Sequence, residues 1–218
     1  MSEADGRSVF SLAGRVVMFE FRLYASLARW LIRRPAIPRN VEPFGYSQVV
    51  APVMWLWIFA SAAEMVVVHL LIPWPTVRIV VLVISAWGLI WMIGFLASIK
   101  VHPHLVGADS LRVRHGSSVD IAVPWDSIAS IVVQRRDLPS SIRTLRFGET
   151  KNGTDLQVAV SDQVNVHAVV KDSMTVPTRK GDREITELSF WADDPKALVA
   201  RAREHLVSDV ARQDQRRA

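Results

Sequence analysis

Two long apolar stretches define the architecture: VVAPVMWLWIFASAAEMVVVHLLI at residues 49–72 and VRIVVLVISAWGLIWMIGFLASI at residues 77–99. Each is long enough to cross the hydrocarbon core of a bilayer as an α-helix, which takes about 20 residues. Between them lies PWPT at residues 73–76, whose two prolines cannot continue a helix. The sequence therefore predicts a transmembrane helical hairpin with a tight turn, within residues 45–104.

Basic residues on the flanks predict how the hairpin is oriented. Seven arginines precede the first span and Lys100 follows the second, whereas the outer turn carries only Arg78. Because the cytoplasmic flanks of membrane spans are enriched in Lys and Arg, we expect both chain ends in the cytoplasm. The predicted location is the cytoplasmic membrane of a cell, as a multi-pass protein.

Two ionisable side chains, Glu64 and His69, interrupt the first span. Five residues separate them, or about 140° around a helix, so they do not form one site. Across the hairpin Glu64 is level with Ser85, and the small residues before it are level with Gly88, which permits close helix packing. We expect Glu64 to face the second helix and to form a hydrogen bond with Ser85. The alternative is that Glu64 serves an oligomeric membrane complex for transport or proton handling.

Residues 1–44 are predicted to form an amphipathic helix and a connector. Within residues 9–34, four arginines recur on one side of a helix opposite a broad apolar face: Arg15, Arg22, Arg29 and Arg33. A cationic stripe of this kind suits a helix that lies in the membrane interface, beside anionic lipid headgroups. The alternative is that the helix packs on the hairpin or on the following domain, with its arginines in solvent. Prolines then predict an extended connector to the first span.

Residues 105–207 are predicted to form a cytoplasmic domain of strands closed by one helix. From about residue 105 the apolar pattern changes to a period of two, and about seven short runs of this kind follow, separated by turn signals. Asp194 and Pro195 then predict the start of an amphipathic helix, as N-cap and first helical residue. Residues 208–218 are expected to be a disordered tail.

The sequence of this domain is similar to that of a known family. DSLRVRHGSSVDIAVPWDSIASIVV, residues 109–133, resembles the start of bacterial pleckstrin-homology-like (PH-like) domains, with the turn Val123–Ile128 in place of their Ile-Pro-Trp-x-x-Ile. ELSFWADDPKALVARAREHL, residues 187–206, resembles the end of actinobacterial two-span membrane proteins with such a domain. The resemblance implies an α+β membrane protein: an N-terminal amphipathic helix, a transmembrane α-hairpin, and a PH-like seven-stranded β-barrel or sandwich with a C-terminal helix. It also implies a membrane-anchored binding or scaffold module without catalytic residues.

The same resemblance directs attention to basic residues of the domain. Lipid-binding members of the wider superfamily hold phosphoinositide headgroups with a basic cluster in the first hairpin. Here that hairpin offers Arg112, Arg114 and His115, of which the two arginines share a face and are positioned to bind an anion. The alternative is an ordinary solvated face. Arg135 and Arg136 begin a second basic group, which either faces the anionic leaflet or neutralises nearby acids.

Composition and motifs exclude several other classes of function. The chain has no Cys, which excludes disulfides and thiolate zinc sites. Its net charge is +5, but acids balance the basic residues of the C-terminal half, so no nucleic-acid partner is expected. His102 and His104 lack a third ligand nearby, and His167 is predicted on the outer face of a strand, so we predict no metal, cofactor or catalytic residue. We expect a non-enzymatic membrane protein that engages lipids and an unknown protein partner, with homo-oligomers left open.

Overall fold

The computed structural model describes residues 3–33, 36–38, 40–178 and 181–217 of the chain, with side chains for residues 14, 17–33, 36–38, 40–177 and 181–207. The described residues form four α-helices and nine strands, divided between two compact units. The helical unit contains the first three helices. The strand unit contains the nine strands and the fourth helix.

The helical unit confirms that both apolar stretches are helical. Its helices are α1 (Glu3–Leu31), α2 (Val50–Leu71) and α3 (Pro75–Val101). Helices α2 and α3 are long and apolar enough to cross a membrane, and only 6% and 11% of their most apolar windows are buried in the chain. The core helix of a soluble protein would bury most of that surface, so the exposed apolar faces support a membrane location.

Helix α1 packs against α3 through a close contact of small and large residues. Leu23 of α1 is buried and lies over Gly94 of α3, where an added Cβ would come within 2.7 Å of the Leu23 Cδ2. Nearby, the indole Nε1 of Trp87 donates a hydrogen bond of 2.9 Å to the hydroxyl of Tyr24. Packing on the hairpin, one of the two alternatives for this helix, is therefore present. A position in the membrane interface stays a prediction.

The strand unit consists of two sheets. The first is antiparallel in the order β1-β2-β3-β4, from β1 (Glu42–Phe44), β2 (His104–Val106), β3 (Ser110–His115) and β4 (Val119–Pro124). The second has the order β5-β8-β9-β7-β6, from β5 (Ile128–Asp137), β6 (Leu145–Thr150), β7 (Gly153–Val158), β8 (Gln163–Thr178) and β9 (Gly181–Phe190). All its pairs are antiparallel except β7 with β9, which is parallel.

The α+β class is confirmed, but a seven-stranded PH-like barrel is not. The described residues form two separate sheets, and no closed barrel is found among them. Strand β1 precedes the hairpin in the sequence and pairs with β2, where the sequence predicts only a connector. The sequence does not predict this strand because it contains Pro43, and proline is found in sheets mainly at an edge. β1 is an edge strand.

One hydrophobic core joins both sheets to α4 (Pro195–Arg217). Asp194 caps this helix as predicted, because its Oδ1 accepts a hydrogen bond of 3.0 Å from the amide of Ala197. Leu198 and Ala202 are fully buried in the core. The helix continues to Arg217 and thus includes residues 208–217, for which the disordered tail stays a prediction. These residues contain no Gly or Pro, and several are strong helix formers.

Candidate functional site

The structure does not bring Glu64 to Ser85. The Glu64 side chain is exposed, and within the described part of the chain no hydrogen bond joins it to Ser85 or to any other residue. A Cβ added at Gly88 would meet nothing within 4 Å, so no helix packs closely there. The predicted contact is wrong because the small residue of α3 that supports close packing is Gly94, and its partner is α1.

The basic stripe of α1 leads to a cavity at the end of the helix. Arg29 and Arg33 line it together with Lys100 of α3, and the volume is about 480 Å³. The remaining lining residues are Trp30, Leu31 and Val101. We call this the basic cavity. Of the other predicted interfacial residues, Arg22 is exposed outside the cavity, and the Arg15 side chain lies outside the described residues.

Local backbone geometry places the cations of the basic cavity. Arg33 has a φ of 53°, and its amide donates to the carbonyl of Trp30 at 3.1 Å, which ends α1 with a left-handed residue. Lys100 lies in the last turn of α3. The negative end of each helix dipole favours basic residues at these positions. Among the described residues none of the three cations has a carboxylate partner, so their charge is open to an external anion.

In the first hairpin of the strand unit, both predicted arginines bind a carboxylate of the same hairpin. Arg112 donates to the two oxygens of Asp120, from Nε at 3.1 Å and from Nη2 at 2.6 Å. The Nε of Arg114 lies 3.3 Å from Asp120 Oδ2. An external anion would therefore have to compete with Asp120. Anion binding by this hairpin stays a prediction, and the sequence did not predict that Asp120 would compete for the two arginines.

The third residue of that hairpin, His115, is not a cation at neutral pH. Burial lowers the pKa of His115 to about 4, and its ring stacks on Tyr46 at 5.3 Å between centroids. His104, whose ring centroid lies 4.8 Å from that of Tyr46, is fully buried and has its pKa lowered to about 4 by the same desolvation. Its Nδ1 accepts from the amide of Arg114 at 3.0 Å, and its Nε2 donates to the carbonyl of Trp191 at 2.8 Å. Both imidazoles therefore serve the fold as neutral groups.

Arg135 and Arg136, the two residues of the second basic group, make different contacts. Arg135 is exposed, lies over the ring of Trp191 at 5.8 Å and donates to Gln163. Arg136 instead turns to a carboxylate on the second sheet, Asp155, which is fully buried. The two arginines thus contribute to different environments, and one of them joins a site that the sequence does not predict.

This site lies on the face of the second sheet that points away from the core. It consists of Arg136 on β5, Asp155 on β7, His167 on β8, and Glu187 and Ser189 on β9, and we call it the polar cluster. Asp155 is directly opposite Glu187 and His167 is directly opposite Ser189. The residues next to them along the strands belong to the core, so the alternation of a strand places the cluster on the opposite face.

Short hydrogen bonds connect the members of the polar cluster. Arg136 Nη2 donates to Asp155 Oδ2 at 2.9 Å and to Ser189 Oγ at 2.5 Å. The Ser189 hydroxyl lies 2.8 Å from Asp155 Oδ1 and 3.1 Å from His167 Nδ1. His167 Nε2 then faces Glu187 Oε2 at 3.7 Å, which is longer than a hydrogen bond. The cluster therefore holds two buried carboxylates against one guanidinium.

The sequence predicts His167 on the outer face of a strand, and the structure agrees, but the sequence does not predict the partners of His167. Asp155 and Glu187 lie in strands that are remote from His167 in the sequence and adjacent in the sheet. A weak signal exists, because polar residues alternate with apolar ones at Asp155 and Gln157 and again at Glu187 and Ser189. That alternation predicts one polar face for β7 and one for β9, but it does not predict that the two strands are neighbours in the sheet.

Comparison with known proteins gives no relative: no family model, no curated protein and no solved structure matches this chain. The likeness to actinobacterial two-span proteins with a PH-like domain therefore rests on the two quoted motifs. Any statement about function has to come from the sites themselves.

Proposed function

We propose that this is a non-enzymatic membrane protein that binds anionic lipid headgroups in the basic cavity and anchors the strand unit as a binding or scaffold module at the cytoplasmic surface. The observation that carries this proposal is the grouping of Arg29, Arg33 and Lys100 around one cavity without a carboxylate partner in the described residues. Three cations held together repel one another unless an anion joins them.

The size and lining of the basic cavity suit a lipid phosphate. Its volume of about 480 Å³ is within the range of small-molecule sites. Arginine offers paired donors that match the oxygens of a phosphate, and lysine adds a point charge. The Trp30 and Leu31 side chains add apolar surface to the same lining, which favours an amphipathic ligand over free phosphate.

The position of the cavity along the helices supports the same ligand. Both α1 and α3 end there, and α3 is one of the two apolar helices that can span a membrane. Under the positive-inside rule, the end of α3 that carries Lys100 is cytoplasmic, where the leaflet is rich in anionic lipid. The strand unit follows directly in the sequence, so it would be held close to that leaflet.

The strand unit is proposed to bind a protein segment. The motifs that resemble PH-like domains support this role, while its first hairpin already pairs Arg112 and Arg114 with Asp120. This pairing is why we assign the lipid contact to the helical unit.

The test is lipid binding by the full chain in neutral detergent, with a fluorescent phosphatidylglycerol as the ligand. The triple variant Arg29→Gln, Arg33→Gln, Lys100→Gln should bind it about 100-fold more weakly, because each basic residue near an anionic surface contributes about 1 kcal/mol. Arg22→Gln is the matched control, since Arg22 is an exposed arginine of the same helix outside the cavity. Equal binding by the triple variant and the wild type would refute the proposal.

A second candidate follows from the exposed Glu64. A carboxylate that turns away from its own chain within an apolar helix is placed to meet a second copy, which would support an oligomeric transport or proton-handling complex. Glu64→Gln should then weaken crosslinking between copies in native membranes. Unchanged crosslinking in that variant, or none in the wild type, would remove this candidate.

A further inference from the structure

We propose that Asp155, His167 and Glu187 of the polar cluster bind a divalent first-row transition ion, with Zn²⁺ as the probe. This inference concerns the strand unit alone and does not depend on lipid binding in the helical unit. One nitrogen and two carboxylate oxygens form a donor set that such ions accept, with one coordination position left for water or an external group.

The three side chains already converge. They come from β7, β8 and β9, which are neighbours in the sheet, and each offers a ligand atom within 4.8 Å of the other two. Ligand atoms about 2.0–2.2 Å from a Zn²⁺ ion are separated by a little over 3 Å, so a shift of about 1 Å would complete the site. Paired strands restrict larger movements, because the backbone of all three residues is hydrogen-bonded in the sheet.

The hydrogen bonds leave the coordinating nitrogen of His167 unused. Asp155 can only accept, so the Ser189 hydroxyl donates its hydrogen bond to Asp155, and Arg136 donates to the same hydroxyl oxygen. His167 Nδ1 lies 3.1 Å from Ser189 Oγ and 3.4 Å from Arg136 Nη2, which can only donate. We assign the Nδ1 proton to the shorter contact, so that Nδ1 donates to Ser189. In the neutral imidazole this assignment leaves a lone pair on Nε2, directed at Glu187. Two acceptors that face each other need a proton or a metal ion between them.

Glu187 independently indicates a missing cation. Its side chain is only 5% exposed, yet its Oε2 has no hydrogen-bond partner in the described residues and lies 3.7 Å from His167 Nε2. Its Oε1 accepts from the neutral amide of Asn152 at 3.1 Å. Arg136 compensates Asp155 but not Glu187, and a mostly buried carboxylate without a charge partner is unfavourable. One divalent ion would compensate it.

Neighbouring side chains hold the ligands as outer-sphere partners of a metal site usually do. Gln157 Nε2 donates to Asp155 Oδ2 at 3.1 Å, and Asn152 orients Glu187. Ser189 orients His167 through Nδ1 and also binds Asp155 Oδ1, which has no other hydrogen bond in the described residues. Arg136 remains on Asp155 Oδ2 and can stay there when the other oxygen coordinates.

Metal titration of the full chain in detergent tests the inference. Calorimetry with Zn²⁺, and visible absorption with Co²⁺, should show one equivalent bound by the wild type; the chain contributes no thiolate to either signal. His167→Ala should remove that equivalent. Asn152→Ala should weaken binding by about 10- to 100-fold, the usual effect of losing an outer-sphere partner. His69→Ala, an exposed histidine of the helical unit, is the control and should bind as the wild type does.

A competing explanation is that a proton on His167 pairs with Glu187, and Glu187→Gln distinguishes the two. With metal removed by a chelator, this variant should be at least as stable as the wild type if Glu187 lacks a cation. If a protonated His167 is the partner, the variant will be less stable and the inference is overturned. Absence of a stoichiometric Zn²⁺ equivalent in the wild type, or its persistence in His167→Ala, would also overturn it.

Discussion

The helical unit leaves the basic residues of its cavity without a carboxylate partner in the described residues, whereas the strand unit pairs Arg136 with the buried carboxylate of Asp155. Arg29, Arg33 and Lys100 line the basic cavity without a carboxylate partner among the described residues. In the polar cluster Arg136 and Asp155 lie 2.9 Å apart, and Asp155 has no exposed surface. Exposed cations at helix ends can be left to water or lipid headgroups, but a buried carboxylate must find its compensation within the fold.

The apolar residues differ between the units in the same way. Large side chains of α2 and α3 are exposed, such as Leu70 at 77% and Val83 at 63%, while the core of the strand unit contains fully buried residues from both sheets. This exposed apolar surface supports a membrane environment for the helical unit. The strand unit contains its own core, so mutations that affect stability most should lie there.

The largest effect is expected from breaking the buried ion pair of the strand unit. Asp155→Ala leaves Arg136 and Ser189 without their carboxylate, and losing one partner of a buried pair lowers the free energy of unfolding by about 3–5 kcal/mol. Hydrogen exchange of peptides from β7–β9 in the full chain measures this locally. Asp137→Asn, an exposed carboxylate on β5, is the control and should change exchange by less than about 0.5 kcal/mol. Equal losses of stability in the two variants would contradict the distinction between the buried, paired carboxylate of Asp155 and the exposed carboxylate of Asp137.

A smaller effect per residue should follow acidification, again in the strand unit. His104 has a pKa of about 4 when folded and 6.5 otherwise, so between these values only the unfolded chain takes up the proton. Stability from this residue is complete above about pH 6.5 and is lost as the pH falls to about 4. A difference of about 2.5 between the pKa values corresponds to about 3 kcal/mol. His115 shifts in the same direction.

Unfolding midpoints in denaturant, measured between pH 7.5 and 4, would show this slope. His104→Gln should reduce it by about half, because His115 contributes a similar share, whereas His69→Ala, in the helical unit, should leave it unchanged. A wild-type curve that is level across this range would mean that neither buried imidazole resists protonation.

The structure of the two units could be predicted from the sequence to different extents. The helices were predictable because a helix depends on residues close in the sequence: apolar length for α2 and α3, Asp194 and Pro195 for the start of α4. The polar cluster was not, because its members range from Arg136 to Ser189 and meet only through the strand order β5-β8-β9-β7. No local spacing encodes that order.

The error at Glu64 has a related cause. Matching depths across a hairpin assumes that consecutive helices pack face to face. In this chain α1 occupies the close-packing surface of α3 at Gly94, and the position level with Glu64 remains open. Helix α1, which precedes the hairpin in the sequence, therefore forms the close contact with α3.

The smallest expected effect tests that assignment within the helical unit. At Gly94 an added Cβ would lie 2.7 Å from Leu23 Cδ2 and 3.0 Å from its Cγ, so Gly94→Ala should force the buried Leu23 side chain to move. Overpacking of this kind lowers stability by about 1–3 kcal/mol. Gly88→Ala is a matched control on the same helix, because its Cβ meets nothing within 4 Å, and alanine should stabilise the helix by about 0.5–1 kcal/mol.

Opposite signs at the two glycines would establish that α3 packs on α1 through Gly94 and presents Gly88 to lipid. Thermal unfolding of the full chain in detergent, followed by the fluorescence of Trp87 after replacing all other tryptophans of the chain, reports on this contact because its indole binds Tyr24 of α1. If Gly88→Ala were the damaging substitution, the close helix contact would lie where the sequence predicts it, beside Glu64. The open face of α2 would then become an internal surface, and the oligomer candidate would lose its basis.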